Sequence, residues 1–248
     1  VQTDGNDRIN AGKIKVVEGA KRHKRAERLP TYRAIRAAGT ITVDGKLDEE
    51  AWAKASPTPA FKKTMGTGAV VQKTVARLVW DDQYLYIAFE ADDKDIWGSK
   101  KSRDDAIYEE EALEVYLDAD GDRKTYAEIQ VSPHNVLFDA WFVSYRSDLK
   151  KAKPWNGDIK SGVVVEGTVD KEGDVDERWV AELAIPFKDI KDAPHTPPQG
   201  GDRWKMNLYR LDRPRGGRPE ATAWSPPQRP DFHTLDRFGT LYFASEKP

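Results

Sequence analysis

Val75-Ala76-Arg77-Leu78-Val79-Trp80-Asp81-Asp82-Gln83-Tyr84-Leu85-Tyr86-Ile87-Ala88-Phe89-Glu90 consists of two runs of strand-forming residues separated by three polar ones. Bulky and aromatic side chains fit a pleated, half-buried surface, and a short polar break reverses the chain. The stretch therefore predicts a β-hairpin. Further strand patterns follow at residues 112–117, 126–131, 136–143, 161–169, 178–185, 204–211 and 239–243. Upstream, Thr40-Ile41-Thr42-Val43 alternates polar and apolar and runs into Asp44-Gly45, a turn signal. Many short strands joined by turns predict an all-β, antiparallel sandwich of immunoglobulin or jelly-roll type.

One helix interrupts this pattern, near residue 50. Asp48 stands at a capping position with Leu47 before it as a staple, and Ala51, Trp52 and Ala55 follow at helical spacing. The expected helix covers residues 48–55, with Trp52 plugging a core. A second short turn is expected at 186–190. Residues 1–37 differ from the rest, since Lys13, Lys15, Lys21, Arg22, His23, Lys24, Arg25 and Arg28 crowd a segment poor in apolar residues. They read as a basic extension or linker, a solvated tether or an anchor for an anionic surface, with the sandwich domain spanning 38–248. Residues 212–233, rich in Pro, Gly and Arg, read as a long irregular loop, functional or disordered, with Trp224 inside it favouring order.

Composition removes several function classes. Forty basic and forty-two acidic residues leave a formal charge of -2. A protein devoted to nucleic acid needs a phosphate-neutralising surplus, so no nucleic-acid partner is expected. Cysteine is absent, which excludes disulfides, thiolate catalysis and Cys-ligated zinc. No apolar run is long enough for a membrane span. A chain starting at Val1, with its signal segment gone, fits an expected secreted or cell-envelope location, periplasmic or lipoprotein-like.

Five pieces of the sequence, taken in order, resemble family 9 carbohydrate-binding modules. They are Asp44-Gly45-Lys46-Leu47-Asp48-Glu49-Glu50-Ala51-Trp52, the hairpin from Trp80 to Tyr86, the stretch from Tyr108 to Asp118, Ala184-Ile185-Pro186-Phe187, and Phe238-Gly239-Thr240-Leu241. The resemblance spans residues 38 to 244. It implies a non-catalytic protein that grips a glycan chain end in an aromatic slot. Pyranose rings offer apolar C–H faces to aromatic side chains, and hydrogen bonds to the hydroxyl rim set identity. The resemblance places Tyr108 and Phe232, each six residues before a family marker (Glu114 and Phe238), as the slot walls. It makes Glu114 an acceptor for sugar hydroxyls. Gln130 falls where sugar-binding members carry a basic residue, and Tyr209 where they carry an amide. Arg210, His233 and Trp224 are further candidate contacts. Polysaccharide is the expected partner, with association to a glycoside hydrolase or an envelope component.

Other motifs were weighed against these. Asp118, Asp120 and Asp122 alternate around Gly121, a spacing suited to a hard cation. Structural calcium is the expected cofactor, and a plain solvated turn is the alternative. Asp92-Asp93-Lys94-Asp95 is a second acidic turn of that kind. Glu109, Glu110, Glu111 and Glu114 suggest a glycosidase pair, but strand alternation puts Glu110 and Glu114 on one face and Glu109 and Glu111 on the other. No catalytic residue is expected. Two rival functions share the sandwich: a haem b redox domain, for which Met206 is the candidate axial ligand, and a structural envelope domain without a sugar.

Overall fold

The computed structural model describes residues 28–245. Twelve strands dominate its regular structure: β1 (Thr31–Arg36), β2 (Lys62–Lys63), β3 (Thr74–Trp80), β4 (Tyr84–Asp92), β5 (Ala112–Asp118), β6 (Tyr126–Val131), β7 (Leu137–Phe142), β8 (Lys160–Glu166), β9 (Arg178–Pro186), β10 (Arg203–Asp212), β11 (Glu220–Ala223) and β12 (Gly239–Phe243). Two short α-helices, α1 (Glu50–Lys54) and α2 (Leu149–Ala152), complete the regular elements with three 3-10 turns. The all-β expectation holds.

The strands run β7-β6-β5-β10-β12-β1-β3-β4-β9-β8. β1 is where one sheet becomes the other. Thr31–Ala34 pair with Thr240–Phe243 of β12, and Ile35 and Arg36 then pair with Val79 and Trp80 of β3. Both pairings are parallel, which corrects the expectation of an antiparallel fold throughout. It also moves the domain boundary. The strand that joins the sheets lies before residue 38, in the segment read as extension. The basic residues up to 27 lie outside the described residues.

The quoted hairpin forms as expected, with Val75 opposite Glu90 and Trp80 opposite Leu85. Its inward residues Ala76, Leu78, Trp80, Leu85, Ile87 and Phe89 join Leu113, Val115, Leu117, Ile129, Trp204, Met206 and Leu208 from the other sheet in one core. Met206 is fully buried there and packs the core. Trp80, Trp179 and Trp204 are among the largest fully buried side chains.

The opening motif covers the outer face of β9. Trp52 is buried and its Nε1 donates to Glu182 Oε1 at 2.8 Å. The amides of Asp44 and Gly45 donate to Glu182 Oε2 at 3.0 and 2.7 Å. Gly45 has φ +86, and a Cβ there would lie 2.7 Å from the Val164 amide nitrogen. Only glycine fits that turn against the sheet. Residues 40–43 form no strand, and Asp48 does not cap the helix. Glu49 precedes α1 and accepts instead from the Thr42 amide at 2.8 Å.

The loop read as irregular over 212–233 contains β11, which extends the sheet beside β10. Trp224 follows β11 and turns inward. It is 6% exposed, and its ring leaves no room for a side chain at Gly239.

Candidate functional site

The outer face of the β7-β6-β5-β10 sheet carries a second buried cluster that includes Tyr116, Tyr126, Phe138, Phe142, Tyr209 and Phe238. Alternation along each strand places these residues opposite the inter-sheet core. Above them lies a cleft of about 450 Å³. Tyr108, Glu114, Gln130, Phe232 and His233 line it, five of the eight expected binding residues. Tyr108 stands on the 3-10 turn Ile107–Glu109 and meets Phe138 edge-on, 5.4 Å between centroids. Phe232 lies flat on Tyr209, 4.2 Å between centroids and 5° from parallel. Both Tyr108 and Phe232 are half-buried.

The remaining three expected residues sit elsewhere. Tyr209 is buried beneath Phe232, where its hydroxyl donates to the Phe232 carbonyl at 2.7 Å and accepts from Asn207 Nδ2 at 2.7 Å. It supports the wall and is not one of the residues lining the cleft. Arg210, next along β10, points to the other side of the sheet, where its Nη2 lies 2.9 Å from Asp93 Oδ2. Neighbouring strand residues face opposite ways, so Tyr209 and Arg210 cannot share a floor. Trp224 is in the core. The loop tryptophans Trp97 and Trp155 are also engaged, one donating to the Arg213 carbonyl and the other packed on Trp141.

The polar floor is formed by β5 and β6. Glu114 sits opposite Gln130 and Tyr116 opposite Glu128. Gln130 Nε2 donates to Glu128 Oε1 at 2.5 Å. Neither oxygen of the buried Glu114 carboxylate makes a well-formed hydrogen bond, although the Tyr116 hydroxyl lies near enough to favour its charged form, and Gln130 Oε1 has no partner. Burial, then the Glu128 charge, raise the Glu114 carboxyl well above the usual carboxylate range. Burial likewise pushes Glu128 up to about 7, against the Gln130 and Tyr116 hydrogen bonds. His233 bonds Tyr126 through Nδ1 at 2.6 Å, and its Nε2 lies 3.9 Å from Glu128 Oε2. Burial and the Arg146 charge lower it to about 4, so it is neutral at neutral pH. Unpaired buried acceptors are costly, so a floor of this kind calls for a donor-rich ligand.

Sequence reading missed Glu128, Tyr116, Phe142, Arg146 and Leu149, which also line the cleft. Glu128 was findable, since it lies two residues before Gln130 and so shares its face. Arg146 was not, because it reaches the rim from the loop before α2.

The acidic loop after β5 brings one oxygen of each of Asp118, Asp120 and Asp122 within 4.8 Å of one another. Asp118 is buried and accepts from the Gly121 and Arg123 amides. Burial still pushes it up to about 7. Glu110 lies outside the cleft and accepts from the Ser99 and Lys100 amides.

A two-sheet β fold with an aromatic-walled, carboxylate-floored cleft on one outer face defines a ligand-binding sandwich. Sequence comparison identifies the group. Residues 43–245 match the family described as carbohydrate family 9 binding domain-like, and the chain belongs to it. An extracellular protein of Arthroderma benhamiae is 26% identical over 74% of this chain and 84% of its own length. Endo-1,4-beta-xylanase C of Paenibacillus barcinonensis is 27% identical over 82% of this chain, but the match spans only 16% of that enzyme. Among solved structures, a Bacteroides uniformis protein described as a candidate carbohydrate-binding protein superposes with TM-score 0.69 at 16% identity, covering 86% of this chain and 98% of that one. A family 9 carbohydrate-binding module of Caldicellulosiruptor kristjanssonii, solved with cellotriose, gives TM-score 0.57 at 14% identity, covering 88% and 95%.

Proposed function

We propose that this protein binds carbohydrate without catalysis, holding the end of a glycan chain in the cleft between Tyr108 and Phe232. The carrying observation is the pairing of two half-buried aromatic platforms with a floor of buried, unpartnered acceptors. Rings offer stacking surface to the C–H faces of a pyranose, and Glu114 and Gln130 Oε1 accept from its hydroxyls. The structures of relatives holding cellotriose and glucose support a β-linked glucan or similar chain as ligand. Hydrolysis is not part of the reading. Glycosidase carboxylates flank the scissile bond, whereas Glu114 and Glu128 lie diagonally on adjacent strands of one floor. Asp148, the other lining carboxylate, caps α2 by accepting from the Lys150 amide.

The likeness to an extracellular fungal protein and to segments of xylanases supports a secreted or envelope location and work alongside polysaccharide-degrading enzymes. Calcium at Asp118, Asp120 and Asp122 is part of the proposal. The fit is supported by Asp192, whose Oδ1 is buried without a partner and whose carboxyl is raised by burial and by the Asp120 and Asp122 charges. A divalent cation there would relieve that repulsion and would be structural, far from any chemistry.

Calorimetric titration with cello-, xylo- and manno-oligosaccharides tests the slot. Each ring should contribute roughly 1–2 kcal/mol, so Tyr108→Ala and Phe232→Ala should each weaken binding about ten-fold. A bound ligand whose affinity neither substitution changes would place the site elsewhere.

A further inference from the structure

Among the described residues, the floor of the cleft holds two carboxyl groups and no cation bonded to them. Glu114 and Glu128 lie diagonally across β5 and β6 on the same face, both buried at the base of the cleft. Gln130 spends its amide donor on Glu128 Oε1, and neither Glu114 oxygen makes a well-formed hydrogen bond. Among the described residues no cation is hydrogen-bonded to either. Arg146, at the rim, is committed to Asp231 through Nε and Nη2 at 3.0 and 2.7 Å. Tyr145 binds the same carboxylate at 2.5 Å. His233 is neutral, and Tyr116 and Tyr209 offer only hydroxyls. Arg213 favours the charged form of Glu114, and Arg146 that of Glu128, through charge alone and without a hydrogen bond.

From this geometry we infer that the cleft prefers a glycan end bearing a primary amine, a glucosamine-type sugar, over its hydroxylated counterpart, with the ammonium seated between Glu114 and Glu128. The inference rests on the carbohydrate reading of the same cleft. A neutral sugar can supply hydroxyl donors but no positive charge, so it leaves both carboxyls in the raised, protonated state that burial imposes, whereas a cation between them favours their ionised form. An ammonium supplies three N–H donors and one positive charge, and charge-assisted bonds are the stronger kind. Gln130 is central, because a basic residue at that position would already fill the role of the ammonium. Acetylation removes both the charge and two of the donors, so an N-acetylated sugar should gain nothing.

The test is a matched calorimetric titration with cellotriose, the glucosamine trimer and the N-acetylglucosamine trimer at pH 7, where Glu128 ionises readily beside a cation. The expected result is an affinity for the glucosamine trimer at least ten-fold above that for the other two. Glu128→Gln, nearly isosteric, should bring that ratio close to one, with circular dichroism and a melting curve reporting whether it folds. Gln130→Arg is the second variant, and it should cancel the preference by placing a guanidinium on the floor. Cellotriose binding as well as or better than the glucosamine trimer would overturn the inference while leaving the carbohydrate reading intact. A preference that persists in both folded variants would place the amine elsewhere and overturn it too. Failure of every sugar to bind would sink both.

Discussion

The ring of Phe232 rests on the ring of Tyr209 at 4.2 Å, and the Tyr209 hydroxyl donates to the carbonyl of the same phenylalanine at 2.7 Å. One buried strand residue thus fixes both the plane and the backbone of the cleft wall. A platform held in place before the ligand arrives loses less freedom on binding. Tyr209→Phe keeps the stack and removes the hydroxyl. It leaves the Phe232 carbonyl and Asn207 Nδ2 each short of a partner, and should lower stability by about 1–3 kcal/mol. Ligand affinity should fall as well, although Tyr209 does not line the cleft. Urea unfolding and calorimetry read the two effects separately, and unchanged affinity would show that the wall needs no such anchor.

Trp52 offers a similar test on the opposite face. Its indole N–H is one of three donors to the buried Glu182 carboxylate. Burial pushes Glu182 up to about 7 despite all three. Trp52→Phe keeps most of the apolar bulk and removes one donor, so stability should drop by about 1–3 kcal/mol. Sugar binding should not change, since the cleft lies on the other sheet. Chemical denaturation at neutral pH measures the loss.

These two sites show what sequence could deliver. The Val75–Glu90 hairpin was legible because both its runs are built of strand-forming residues and a polar break marks the turn. β1 was not. Tyr32 and Ala34 are its only buried residues, and they follow a basic run that masks a weak alternation. Tyr108 and Phe232 were legible only through their offsets from family markers, since nothing local separates a slot aromatic from a core one. Arg210 was misplaced although alternation alone assigns it to the face opposite Tyr209. Trp224 was misread because its burial depends on Gly239, fifteen residues later and on another strand.

Acid should weaken the fold through His233. Its folded value of about 4 lies below the ordinary 6.5, so the unfolded chain binds the proton more readily. Stability from this group is complete above about 6.5 and is lost as pH falls towards 4, by at most about 3 kcal/mol. Glu128, Glu182 and Asp118, all raised to about 7, act in the opposite direction, being most favourable when protonated. A comparison with His233→Gln isolates the histidine. The difference between the two stability curves should grow between pH 6.5 and 4 and stay flat above it, as followed by urea midpoints.

Calcium should raise the melting temperature, because a ligand bound only by the folded chain stabilises it by mass action. The cation needs deprotonated carboxylates, and Asp118 is raised to about 7 by burial. The effect should therefore be larger at pH 8 than at pH 6. Asp120→Asn should reduce the shift, and Asp192→Asn should do so if its unpartnered Oδ1 reaches the ion. Identical melting curves in chelator and in saturating calcium would leave the loop a plain turn.

Arg210 separates stability from binding. The guanidinium is 1% exposed and contacts Asp93 at 2.9 Å and Asp212 at 3.8 Å. It also donates to the Asp92 carbonyl and to Thr74 Oγ1. Glu111 completes the group, held protonated by burial and by Asp93, with its carboxyl pushed up to about 10. Arg210 is therefore the countercharge for Asp93 and Asp212, buried where no water can replace it. Arg210→Met matches much of its length and removes the charge, stranding both aspartates. Breaking a buried pair this way should cost about 3–5 kcal/mol. Arg210→Lys keeps the charge but loses the planar fork that reaches several acceptors at once, so it should recover only part of that. Neither change touches the cleft, since Arg210 lies on the far side of β10. Folded Arg210→Lys should bind oligosaccharide within about two-fold of the unaltered protein, a change of under about 0.5 kcal/mol. Calorimetry at a temperature where the variant is fully folded decides it. A large loss of affinity without unfolding would return Arg210 to the binding site.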